Sequence, residues 1–339
     1  MAKTDPAAEA MAKVAALRGA LDLAELEAGL GPLLANKSSY VVARAAELAG
    51  ERRVRPALSR IVETLDRMLR TPSIKDPGCA ARFALAKAAV DLEAGYQAQD
   101  VMALGVRYAC WESIWGGSAD VAVALRGQCA IGLAAMGSRL ALRCATELLA
   151  ESDIKGPPRE RVSWPARQDA ARALTMMGSD GAAAVLRFKA LSGDPEPNVL
   201  SECLSGVITI DGDAGLELAE HFLTGGSTNA RAAIEVERQA EAALLAIGGS
   251  RRPAAFALLI RHERLFLHTA SRATFFTAVA MTRQDAAIDY LLKQVSEGAK
   301  EISSAAVKAL EPMRLLPRVG ERLAAALSQR TENLRRERG

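Results

Sequence analysis

The sequence predicts an all-α chain, a solenoid of about eight helix pairs, and three observations point there. Aromatic residues make up only 4% of the 339 positions, while Ala, Leu, Arg and Glu, which lose least on entering a helix, fill the text. One phrase then recurs: a polar residue, often Arg, followed by Ala-rich helical text, a Leu and a Gly. Between successive phrases lie amphipathic segments of about three turns, with apolar residues at the 3.6-residue period. Small alanine side chains suit thin two-layer packing, in which helix backbones approach closely, better than one large spherical core.

Three copies of the phrase align without gaps, from Arg126 to Gly137, Arg167 to Gly178 and Glu237 to Gly248, with Leu133, Leu174 and Leu244 each four residues before the glycine. Such a glycine is the expected left-handed stop just past a helix, so each phrase is the second helix of a pair. Looser copies end at Gly50 and Gly95, and another runs from Asn198 to Asp211, where Asp replaces the glycine. The first helices of the pairs are expected over 54–69, 101–108, 140–149, 182–191, 214–223, 253–260 and 286–295. Turns at Lys37-Ser-Ser, Lys75-Asp-Pro-Gly, Gly117-Ser-Ala-Asp, Gly193-Asp-Pro and Gly226-Ser-Thr-Asn supply N-capping residues and a helix-compatible proline. Residues 1–12 are expected as a flexible N-terminal tail, 13–330 as a single solenoid and 331–339 as a basic C-terminal tail behind a polar capping helix.

These phrases resemble HEAT-like repeats of the phycobilin-lyase type over nearly the whole chain. The stretch from Trp115 to Ala130 is also similar to an uncharacterised bacterial HEAT-repeat family, a similarity that brings no activity with it. The resemblance implies a right-handed superhelix, a right-handed α-solenoid whose second helices line the concave side. Such repeats serve scaffolds, adaptors and some enzymes alike, so it does not select a function.

Chemistry is sparse. Only three histidines occur, His221, His262 and His268, and only His262 is followed by Glu, whereas a deoxyhypusine hydroxylase needs several His-Glu pairs converging on iron. The cysteines Cys79, Cys110, Cys129, Cys144 and Cys203 show no CxxC spacing, so no metal or other cofactor is expected and the thiols read as small buried hydrophobes in a reducing compartment. No phosphate loop or Ser-His-Asp arrangement stands out. No apolar run of about 18 residues is present, so no membrane contact and a cytoplasmic location are expected. The chain therefore reads as a scaffold without enzymatic activity that binds another protein.

Nucleic-acid binding, in the manner of the HEAT-like alkylpurine glycosylases, is the alternative, and a chromophore or cofactor lyase is a third. The nucleic-acid alternative rests on Arg44, Arg82, Arg126, Arg167, Arg231 and Arg272 in second helices, a row that either tracks phosphates or pairs with acids of neighbouring repeats. The partner-binding candidates are Tyr108, Trp111, Trp115, Trp164, Lys75, Lys155 and Arg126. All three tryptophans fall in one third of the chain, and Tyr108, Trp111 and Trp115 share a face if a helix runs on to Gly116. The echo between Ser73-Ile-Lys-Asp-Pro77 and Asp153-Ile-Lys-Gly-Pro157 puts Lys75 and Lys155 on corresponding turns of one edge, flanking Gly117. The aromatics there either fill a wide inter-repeat gap or form an anchor patch.

Overall fold

The computed structural model describes residues 6–20, 22–71, 75–156, 158–225 and 233–336. The chain divides into two compact units, Met1–Ala182 and Ala183–Gly339. Ser73, Pro157, the turn after Gly225 and Arg231 lie outside the described residues.

The first unit opens with α1 (Pro6–Arg18), which packs on α2 (Leu23–Leu34) and α3 (Ser39–Glu51). Helix therefore begins inside the segment expected as a tail, and Ala10 and Val14 are buried in it. The pairs that follow α2 and α3 are α4 (Leu58–Arg70) with α5 (Ala80–Asp91), α6 (Gln99–Val106) with α7 (Val123–Ala135), and α8 (Ala141–Leu149) with α9 (Trp164–Met177). The second helices stack in a row, α3 on α5, α5 on α7 and α7 on α9. Small residues permit this: Ala45, Ala46, Ala84, Ala88, Ala130 and Ala170 are all buried in that row. The division between the units falls in α10 (Asp180–Ser192).

In the second unit, α11 (Pro197–Asp211), α13 (Ala233–Gly249), α15 (Arg272–Met281) and α17 (Lys300–Leu310) repeat the inner row. Outer helices α12 (Asp213–Leu223), α14 (Pro253–Arg261) and α16 (Asp285–Glu297) pack on them. Phe275 contacts Phe266 and Phe276 with ring centroids 5.8 and 5.5 Å apart, filling the space that alanines leave elsewhere. The last helix, α18 (Pro317–Arg336), packs on α16 and buries only Val319 and Leu323, as expected of a polar cap. The expected all-α architecture of eight helix pairs is thus present among the described residues, with every first-helix segment found as a helix.

Two corrections concern local structure. Gly137 and Gly178 are left-handed helix stops, at φ 62° and 59°, but Gly50 and Gly248 lie inside α3 and α13. A Cβ on Gly50 would meet the Cα of Ala88 at 3.4 Å, and one on Gly248 would collide with the backbone of Ala278. Gly248 therefore allows the neighbouring second helix to approach, whereas Gly50 stands at ordinary contact distance, and Arg53 and Arg251 take the left-handed turns instead, at φ 50° and 52°. The second correction is that no helix carries Tyr108, Trp111 and Trp115. The helix α6 ends at Val106, and the chain enters a hairpin of β1 (Trp111–Ile114) and β2 (Gly117–Asp120), extended by a parallel β3 (Arg159–Glu160) from the loop between α8 and α9.

Candidate functional site

The loops joining first to second helices in the first unit are long and linked to one another. The alternation Trp-Glu-Ser-Ile, a two-residue turn at Trp115-Gly116 and Ser-Ala-Asp after Gly117 suit a hairpin, and Gly116 accepts the φ of 86° that the second central position of a type II turn requires. Trp111 pairs with Asp120 and Ile114 with Gly117 in register. On the far side of β2, the amide of Ser118 donates to the Pro158 carbonyl at 3.1 Å. A Cβ on Gly117 would stand 2.9 Å from that same oxygen, so only glycine lets the two loops meet this closely. On the opposite side, Glu112 accepts a 2.7 Å hydrogen bond from the Gly78 amide in the α4–α5 loop.

Beneath the hairpin lies a buried charge hub. The Asp120 carboxylate accepts from Arg126 Nη1 at 2.5 Å, from Arg161 Nε at 2.8 Å, and from the amides of Cys110 and Ala122 at 3.0 and 3.1 Å. Burial alone would raise the Asp120 carboxyl, but these hydrogen bonds outweigh it and hold the group below the ordinary carboxylate range. Arg126, 1% exposed, also stands 3.3 Å from Glu151. The neighbouring second helices repeat the device: Arg82 pairs with Asp76 at 3.0 Å and donates to the Met68 carbonyl, and Arg167 pairs with Asp153 at 2.9 Å. Each of these arginines pairs with an acid of its own loop, at the start of its own second helix, so the expected row is a ladder of internal ties.

That arrangement corrects two readings. Arg126 is not at the surface and does not face a partner. Arg82, Arg126 and Arg167 are buried in ion pairs and offer no track for phosphates, while the exposed end of the row, Arg44, pairs with Glu47 at 2.7 Å. Tyr108 is half-buried with the Arg82 guanidinium over its ring at 5.1 Å, away from the hairpin tip. Trp164 is half-buried at the first position of α9.

What does reach the surface is the hairpin. Trp115, at its tip, is fully exposed at 102%. Trp111 is half-buried, with Arg159 and Arg161 over its ring at 5.1 and 5.3 Å. Ile114, Ile154 and Val162 are exposed in the same loops, and a shallow pocket opens between the tip and Gly156, Pro158, Arg159 and Glu160. Lys75 and Lys155 are exposed in the flanking loops, and neither makes an ion pair among the described residues. The loop between α4 and α5 and that between α8 and α9 thus touch the hairpin from either side. Sequence reasoning missed Asp120 and Arg161 as organisers; the cue was Asp six residues before Arg at both Asp76–Arg82 and Asp120–Arg126.

No protein-family model matches the chain, and no curated protein matches it. Among solved structures it is similar to the complex of CpcE and CpcF of phycocyanin lyase from Nostoc, at 15% identity and a TM-score of 0.45, over 85% of this chain and 94% of that one. It is also similar to human deoxyhypusine hydroxylase in complex with glycerol, at 16% identity and a TM-score of 0.33, over 81% of this chain and 98% of that one. Both are helix-pair proteins of the HEAT-like type, the repeat seen here. The expectation of a chain without enzymatic activity is corrected by this finding, since the two structures it is similar to are of a lyase and a hydroxylase. Among the described residues no helix is long and apolar enough to cross a membrane, and no three His, Cys, Asp or Glu converge as metal ligands.

Proposed function

We propose that the chain binds another protein through the loop edge of its first unit, with the Trp115 hairpin as the anchor, and so acts as a scaffold or adaptor. The observation that carries this reading is a fully exposed indole on a backbone fixed from both sides. An indole left in water forgoes the burial of roughly 150–250 Å² that aromatic side chains ordinarily gain. Here the tip is held by strand pairing to β3 and by the Glu112 tie to Gly78, so little ordering entropy opposes docking. Ile114 and Arg159 line the same pocket as Trp115, and exposed Val162, Ile154, Lys155 and Lys75 add apolar and basic surface in the loops on either side. An aromatic centre with a charged rim is the usual anatomy of a contact surface.

The test is affinity purification from the native cell with quantitative mass spectrometry, comparing the natural chain with Trp115→Ala. The substitution should cost about 2 kcal/mol or more of binding, roughly a 30-fold loss of affinity, for the partner it anchors. The melting temperature should barely move, because the side chain touches solvent. Equal recovery of the same proteins by both forms would remove the hairpin as an anchor.

A further inference from the structure

A second pocket lies farther along the same edge, between the turn joining α2 to α3 and the end of α4. Its volume is about 460 Å³, and its walls carry Lys37, Arg67 and Lys75 above a floor of Val42 and Met68. Among the described residues no carboxylate lines it. The acids nearest in sequence are already taken: Asp66 pairs with Arg70 at 2.7 Å, Glu63 with Arg60 at 3.4 Å, and buried Asp76 with Arg82. Lys37, Arg67 and Lys75 make no ion pair among the described residues, in a unit where Arg44, Arg55, Arg60, Arg70 and Arg107 are all paired.

We infer that this pocket is a binding site for a phosphoryl group, carried either by a small organic phosphate or by a phosphorylated side chain. Three like charges gathered round one cavity repel one another, and a dianion relieves more of that repulsion than a single carboxylate does. The Arg67 guanidinium offers a planar fork of donors suited to phosphate oxygens, and the two ammonium groups act as point charges beside it. Neutral donors complete the set. Ser39 lines the pocket, and Asn36 turns its Oδ1 to the Ser38 amide at 2.8 Å, leaving its amide N–H groups free of that bond. Ser38 makes no side-chain cap, so the first-turn amides of α3 keep their hydrogen-bonding capacity for a bound oxyanion. The buried apolar floor keeps water from one side and strengthens each of these interactions.

The experiment is calorimetric titration of the full chain with pyrophosphate and with O-phosphoserine, at about 0.15 M sodium chloride to screen diffuse surface attraction. Arg67→Gln is compared with Arg139→Gln, an exposed arginine of the α7–α8 turn that lines no described pocket. Saturable binding of either probe, weakened at least about tenfold by Arg67→Gln and unchanged by Arg139→Gln, is the expected result. Circular dichroism confirms that both variants are folded. Tighter pyrophosphate binding marks a free phosphate compound as the ligand, and tighter phosphoserine binding marks a modified protein. No saturable binding, or an equal loss in the two variants, overturns the inference.

Discussion

Replacing Asp120 by Asn tests whether the charge hub holds the loops of the first unit. The variant keeps the shape of the side chain and an oxygen for the amides of Cys110 and Ala122, which donate to Oδ1 at 3.0 and 3.1 Å. What disappears is the negative charge between Arg126 and Arg161. Arg126 is then left buried with Glu151 as its remaining counter-charge, 3.3 Å away and only 24% exposed. Its Nε donates to no protein group, and the hydrogen bond that remains is the long one from Nη1 to the Tyr108 carbonyl, at 3.4 Å. Breaking a buried pair from one side costs about 3–5 kcal/mol; with Glu151 close by, the lower end, about 3 kcal/mol, applies. Asp120→Ala also removes the acceptor for two amides, at about 1 kcal/mol each, and should reach about 5 kcal/mol.

The assay is urea denaturation followed by tryptophan fluorescence. All three tryptophans, Trp111, Trp115 and Trp164, lie in the first unit, so the signal reports that unit alone even if the two unfold separately. The double variant Asp120→Asn with Arg126→Met should recover most of the loss, since no uncompensated charge stays buried. A cost below about 1 kcal/mol for Asp120→Asn, or no recovery in the double variant, refutes the hub.

Three further predictions follow from features described above. A fragment ending at Gly178 should fold on its own, with helical circular dichroism and a cooperative melt, because each helix row contacts only its neighbours; a disordered fragment would count against the repeat. The carboxyls of Asp120 and Asp153 are both held below their ordinary range, so their contribution is complete above about pH 4, the unfolded-state value, and is lost as pH falls through the lower folded value. Fluorescence-monitored stability should therefore decline below about pH 4, less steeply in Asp120→Asn; a flat profile down to about pH 2 would contradict this. Gly248→Ala should destabilise the second unit by about 2 kcal/mol, since its methyl group meets the Ala278 backbone, and a neutral result by circular dichroism would show that α13 and α15 can part without cost.

The helix pairs were legible because their periodicity is strong and repeated. The roles of individual glycines were not: Gly50 and Gly248 stand where a stop is expected, yet the helix runs past them, because a left-handed turn can be taken by Arg53 or Arg251, and at Gly248 the close contact with the Ala278 backbone needs glycine. The site was half legible. Clustered tryptophans and echoed lysine turns located the edge, but Trp111 to Asp120 satisfied a short helical spacing as readily as a strand alternation, and only pairing with Arg159 and Glu160 decides between them. Arg126 was misplaced although the six-residue step from Asp76 to Arg82 recurs from Asp120 to Arg126, because an acid in the turn before a helix reads as an N-cap rather than as a buried partner.

The ties among these loops bear on how such an array can be altered. Repeats that merely stack can be exchanged singly. Here, however, Asp120 belongs to the block containing α6 and α7, while Arg161 and β3 belong to the block containing α8 and α9. A graft of either block by itself would strand a carboxylate or a guanidinium at the seam, so the smallest module that can be transplanted from this chain spans both, from Gln99 to Met177.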